Sequence, residues 1–166
     1  MKLRLSSSER LVDLGGLPDL KTIKMDGANL VIGAMVTHAA VAASADVKRA
    51  CPALAELAGG IGDPMVRNMG TIGGSIANAD PAACYPAGVV GLNATIHTNQ
   101  RTIAADAFFT GLFETALQPG ELITALRFPA VEKAAYINAL TDALGVKDVA
   151  MPATVERVWR AANNVA

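Results

Sequence analysis

The residues best placed to do chemistry lie in one short stretch, Arg67-Asn68-Met69-Gly70-Thr71-Ile72-Gly73-Gly74-Ser75-Ile76-Ala77-Asn78-Ala79-Asp80-Pro81. Clustered glycines allow positive φ and let a ligand approach the backbone without meeting a Cβ. Successive N–H groups in such a turn can form an anion-binding concavity. Its expected donors are the amides of Ile72 to Ser75, assisted by the Thr71 and Ser75 hydroxyls. A nucleotide or flavin suits that chemistry. The spacing is neither GxGxxG after a strand nor a phosphate loop, because no Gly-Lys-Ser/Thr follows. The same residues also suit a buried turn in an α+β domain.

Other candidates carry less. His38 follows Thr37, a good helix cap, and reads as a packing or capping residue. His97 reads as an exposed strand histidine. The two histidines are not spaced as metal ligands, and Cys51 and Cys84 are too far apart for a CxxC pair, so neither a zinc site nor a disulfide framework is expected. Arg67 suits either a structural role or pairing with a carboxylate or phosphate. Phe108, Phe109, Phe113 and Trp159 read as core.

The chain has 166 residues, 52% hydrophobic, 17% charged and 4% aromatic, which predicts one compact domain. Fourteen basic against fifteen acidic residues leave a net charge of −1, so no basic footprint for nucleic acid exists. The N-terminus lacks the apolar stretch of a signal peptide, and reduced thiols fit a cytoplasmic protein. Gly27 to Ala45 is uncharged, but Asn29, Gly33, Thr37, His38 and Ser44 argue for a strand turning into a helix rather than a membrane span.

These residues must be positioned by short elements. Leu11–Leu14 reads as a strand. Residues 20–25 and 30–32 read as a hairpin about Asp26-Gly27. Thr37 caps a helix, Asp46 begins a second, and Pro52 opens a third that Gly59-Gly60 stops. Ile61 to Asp80 has too many glycines and prolines for a regular element, yet it is apolar, which predicts a buried irregular segment. A helix from Pro81 to Leu92, capped by Asp80, should follow. Strands are expected at 94–98, 101–103 and 121–128, with Pro129 ending the last. Residues 132–144 and 155–162 read as helices.

The string RNMGTIGGSIANADPAACYPA resembles the second flavin-binding segment of the FAD subunits of molybdenum hydroxylases, of the carbon monoxide dehydrogenase and xanthine dehydrogenase type. MKLRL…LVDL, VIGAMVTHAAVAAS, CPALAELAGGIGDPMVRN and RTIAADAFFTGLFETALQPGELITALRFP resemble the same family in order and spacing, so the resemblance covers residues 1–129. It implies an α+β fold, the FAD-binding PCMH-type subdomain, with a small mixed or antiparallel sheet and helices. It also implies an oxidoreductase subunit that passes electrons from iron–sulfur clusters through FAD to an acceptor. The expected partners are an iron–sulfur small subunit and a molybdenum-binding large subunit, which would hold the clusters and the molybdopterin.

Carried over by position, Thr71, Ile72, Gly73, Gly74 and Ser75 would contact FAD. Ser75 stands where the family more often has asparagine or aspartate. Asp80 matches the first acid of the family's Asp-Pro-Ala-Ala-Asp run, and Cys84 occupies the place of the second. Leu122 or Ile123 would pack on the ring system. The family's first flavin segment, an Ala-Gly-Gly loop, would precede Met1. Residues 130–166 resemble the extreme C-terminus of the molybdenum-binding large subunit, which predicts a helical tail after a domain truncated at its N-terminus. The alternative is a truncated or fused remnant that keeps the fold, or a subunit-interaction surface, without binding flavin.

Overall fold

A computed structural model describes residues 10–130. The α+β expectation holds there: a five-stranded antiparallel sheet is covered by short helices. The Asp26-Gly27 turn, with Gly27 at φ 58°, joins β1 (Ile23–Asp26) to β2 (Asn29–Gly33), as the turn dipeptide predicted. Beyond them come β3 (Thr95–Thr98), β4 (Thr102–Ala104) and β7 (Ile123–Pro129), and the sheet order is β1-β2-β7-β3-β4. The last of the described strands therefore sits at the centre, between β2 and β3. A small separate ladder pairs β5 (Phe109–Gly111) with β6 (Glu114–Thr115).

Alternation puts one face of the sheet in the core: Leu30, Ile32, Ile96, Leu126 and Phe128 are fully buried. The other face is wetter and carries the Arg127–Asp26 ion pair at 3.4 Å. Against the apolar face lie α1 (His38–Ala43), α2 (Ala45–Ala50) and α3 (Pro52–Gly59), then α4 (Pro64–Met69), α5 (Ile72–Asn78) and α6 (Cys84–Gly91), with a single turn α7 (Ala105–Phe108). Their core residues include Val41, Val47, Leu54, Ile72, Ile76, Tyr85 and Val89.

The caps explain the boundaries. Thr37 Oγ1 accepts from the Ala40 amide at 3.2 Å, and Pro52 opens α3 at the position where its missing N–H costs nothing. The second helix is capped by Ser44, whose Oγ accepts from the Val47 amide, rather than by Asp46, which pairs with Arg49 instead.

Four expectations need correction. Ile61 to Asp80 is not irregular but holds α4 and α5. Asp63 caps α4, Pro64 occupies its first position, and Thr71 caps α5, so the breakers sit at helix starts where they are tolerated. The helix expected from Pro81 begins at Cys84, because the Asp80 carboxylate accepts from the Ala82 amide in a turn. No strand forms at Leu11–Leu14; Leu11 and Val12 are exposed, and Asp13 accepts from the Gly15 amide. Phe113 is not core. It lies 60% exposed at φ 58°, while Phe108 is buried. The tail helices expected at 132–144 and 155–162, and Trp159, lie outside the described residues.

Candidate functional site

The glycine-rich stretch is held by a second piece of chain. Ala34 to His38, leaving the end of β2, runs antiparallel to Gly70–Gly73 and makes an isolated bridge between Thr37 and Thr71. The His38 amide donates to the Gly70 carbonyl at 3.1 Å and the Ile72 amide to the Val36 carbonyl at 3.0 Å. The Gly73 amide donates to the Ala34 carbonyl at 2.9 Å, while the Ala34 amide donates to Thr124 in β7 at 3.0 Å. Gly73 is required there by proximity. A Cβ on it would lie 2.5 Å from the Ala34 Cβ and 2.7 Å from the Ala34 carbonyl oxygen.

This arrangement corrects the expected chemistry of the turn. The amides of Ile72 to Ser75 do not form an open cradle. Ile72 and Gly73 donate to Val36 and Ala34, Gly74 to Thr71 Oγ1 at 3.1 Å, and Ser75 to the Thr71 carbonyl at 2.9 Å. Three orphan donors of the helix N-terminus, at Ile72, Gly73 and Gly74, are thus satisfied within the chain, and the Ser75 amide makes the first intrahelical bond. What remains for a ligand is the Thr71 hydroxyl proton, the half-buried Ser75 hydroxyl, and the bare backbone of exposed Gly74. An added Cβ at Gly74 would meet only Thr71 Oγ1, at 2.9 Å. These groups fit a planar ring system resting on the turn and accepting hydroxyl hydrogen bonds. They do not fit a phosphate gripped by main-chain amides.

The remaining expected contacts fall in two places. Asp80 and exposed Cys84 lie past the other end of α5, whose seven residues span about 10 Å at 1.5 Å rise per residue. Leu122 lies just before β7, whose Thr124 joins Gly73 through Ala34, so the leucine and the glycine turn belong to one hydrogen-bonded assembly. Its side chain is 48% exposed.

A polar cluster unforeseen from the sequence stands beside Leu122. The Glu121 side chain is fully buried yet charged, and Arg101 binds both of its oxygens, at 3.0 and 3.1 Å. The Arg101 guanidinium, the Gln118 amide and the Thr98 hydroxyl pull its carboxyl down to about 2. The available signal was a lone acid opening an apolar strand after Pro119-Gly120, opposite an arginine in the facing hairpin.

Elsewhere, His38 and Tyr85 stack with ring centroids 5.1 Å apart, and His38 Nδ1 and the Tyr85 hydroxyl are buried without hydrogen-bond partners among the described residues. Burial lowers the His38 pKa and raises that of Tyr85. Arg67 donates to the Ile61 carbonyl and makes no ion pair among the described residues, a structural role. An apolar groove of about 560 Å³ lies between α6 and the β5–β6 ladder, with Pro86, Val90 and Leu112 in its walls. Among the described residues no cluster of three His, Cys, Asp or Glu side chains could hold a metal ion. No described helix is long and apolar enough to cross a membrane.

Comparison with known proteins adds a lineage to this geometry. Residues 1–131 match the family described as the FAD binding domain in molybdopterin dehydrogenase. The carbon monoxide dehydrogenase medium chain of Hydrogenophaga pseudoflava is 40% identical over 134 residues, covering 78% of this chain and 47% of that protein. The glyceraldehyde dehydrogenase medium chain of Sulfolobus acidocaldarius is 37% identical, covering 80% and 48%. The solved structure of the Hydrogenophaga pseudoflava carbon monoxide dehydrogenase that lacks the Mo-pyranopterin moiety superposes with a TM-score of 0.77 at 39% identity, over 80% of this chain and 48% of that one. Quinoline 2-oxidoreductase from Pseudomonas putida 86 gives a TM-score of 0.75 at 32% identity, over 78% and 47%. The chain spans about half the length of the curated relatives it matches.

Proposed function

Because the chain belongs to the family of FAD-binding domains in molybdopterin dehydrogenases, we propose that it serves as the FAD-binding, electron-transfer subunit of a molybdenum-containing hydroxylase or dehydrogenase. Its partners in this reading are an iron–sulfur small subunit and a molybdenum-binding large subunit. FAD, when bound, would accept electrons from the iron–sulfur clusters and release them to an acceptor. The protein supplies position and environment.

In this reading Thr71 and Ser75 donate hydroxyl hydrogen bonds, and Gly74 offers bare backbone against which a flat ring can lie. Ile72 and Gly73 act from beneath, by fixing the turn to Ala34 and Val36. Leu122 supplies an apolar wall, and Asp80 and Cys84 meet a more distant part of the cofactor. The observation that supports this best is the exposed, Cβ-free turn at Gly74, carried on a family match that spans residues 1–131. Residues 1–129 form the flavin domain in this proposal and 130–166 an appended segment.

The consumed amides favour a second reading, a domain that keeps the fold without flavin. One titration separates the two. Purified chain mixed with FAD should quench flavin fluorescence saturably and show the absorption of a bound flavin. Protein that stays colourless in excess FAD, with flavin emission unchanged, overturns the cofactor-binding proposal and leaves the fold-only reading.

A further inference from the structure

We propose that Asn99, Arg101 and Glu121 are positioning residues that hold Leu122 as a rigid apolar wall for the flavin, an inference that rests on the FAD-binding reading above. Burying a carboxylate is costly unless its oxygens are fully paired. Here they are. Oε1 of Glu121 accepts from Arg101 Nε at 3.0 Å and Thr98 Oγ1 at 2.7 Å, and Oε2 accepts from Arg101 Nη2 at 3.1 Å and the Gln118 amide at 2.8 Å. Arg101 Nη2 also donates to the Ala116 carbonyl at 2.6 Å. One guanidinium thus ties the β3–β4 hairpin to the segment that leads into β7.

The next residue is gripped as firmly. The Leu122 amide donates to Asn99 Oδ1 at 2.9 Å, and the Leu122 carbonyl accepts from the Asn99 amide at 3.0 Å. Both backbone polar groups of Leu122 are therefore fixed by a single asparagine. Yet its side chain is 48% exposed, so the leucine itself is not part of the core that begins with the neighbouring Ile123. A strand end held on both sides while presenting leucine to water is arranged to meet something flat and apolar. The assembly of Leu122, Thr124, Ala34 and Gly73 described above places that leucine in the same framework as the turn at Gly74.

The test uses the full chain and FAD, reading the dissociation constant by flavin fluorescence, the visible circular dichroism of bound flavin, and the urea midpoint. Leu122→Ala should weaken binding about tenfold, as loss of roughly 1.4 kcal/mol of apolar contact implies, with the urea midpoint unchanged. Asn99→Ala should weaken binding to a similar degree and alter the flavin dichroism. Asn99→Asp keeps the acceptor for the Leu122 amide and should restore both. If the parent binds FAD while Asn99→Ala changes only the urea midpoint, with affinity and dichroism intact, the positioning role is overturned and the FAD-binding reading stands. A parent chain that binds no FAD overturns both.

Discussion

Replacing Gly73 with alanine tests the structural core of the site. The new methyl carbon would lie 2.5 Å from the Ala34 Cβ, 2.7 Å from the Ala34 oxygen and 2.9 Å from the Ala34 Cα. Carbon atoms pack at about 3.5–4.0 Å, so the two segments must separate by about 1 Å. Two of the three obstructing atoms belong to backbone, which cannot rotate away. Overpacking of this kind costs about 1–3 kcal/mol. The displacement also stretches the 2.9 Å bond from the Gly73 amide to Ala34, worth about 0.5–1.5 kcal/mol. Alanine returns about 1 kcal/mol through better helix propensity. The net loss is about 2 kcal/mol, which lowers the urea midpoint by about 1 M for a typical urea dependence of 1–3 kcal/mol per M. Gly74→Ala is the internal control. Its methyl meets only the mobile Thr71 hydroxyl, so a propensity gain of about 1 kcal/mol offsets a damaged cap of about the same size. Urea unfolding followed by far-ultraviolet circular dichroism should therefore leave Gly74→Ala near the parent and move Gly73→Ala well below it. Equal midpoints for the two variants refute the close approach of α5 to Ala34.

Acid should unfold the protein partly through Glu121. Its folded pKa of about 2 lies below its ordinary value of 4.5, so its stabilisation is complete above pH 4.5 and is lost as pH falls towards 2. Glu121→Gln should flatten the stability profile across that window, read as urea midpoint against pH. Tyr85→Phe removes a buried hydroxyl that has no partner among the described residues and should leave stability unchanged or raise it by up to about 1 kcal/mol; a thermal midpoint several degrees lower would contradict the unpaired assignment. Cys84→Asp introduces the acid that the resemblance implies at this position. It should tighten FAD binding if Cys84 adjoins the cofactor, and an unchanged dissociation constant would remove that residue from the site.

Local signals in the sequence suffice where one residue decides the geometry. Asp26-Gly27 gave the hairpin, Thr37 the cap of α1, Pro52 the start of α3, and Pro129 the end of β7. The number of breakers in the glycine segment suggests irregular chain, whereas their positions at helix starts allow α4 and α5. Pro64 sits at a helix start, and Gly73 sits inside a helix because another chain segment passes against it. That second segment, Ala34 to His38, is far away in sequence and left no local mark on the glycines, so the loss of the amides to its carbonyls was invisible. Glu121 posed the same difficulty. Its burial depends on Arg101 across a hairpin, and the adjoining residues mark only a lone acid at the start of an apolar strand, not its pairing. Residue type alone would put Phe113 in the core, whereas its place at the tip between β5 and β6 turns it outward.

The strand order has a consequence for how the chain comes together. The hairpin β1–β2 and the hairpin β3–β4 share no edge, and each meets the other only across β7. Both halves of the sheet must wait, partly formed and with open edges, until residues 123–129 emerge and slot between them. Loop closures this long are slow. The polypeptide therefore keeps open strand edges, and a risk of stray edge-to-edge association, until residues 123–129 have left the ribosome, and a stop placed just before Ile123 would leave both hairpins without the strand that pairs them.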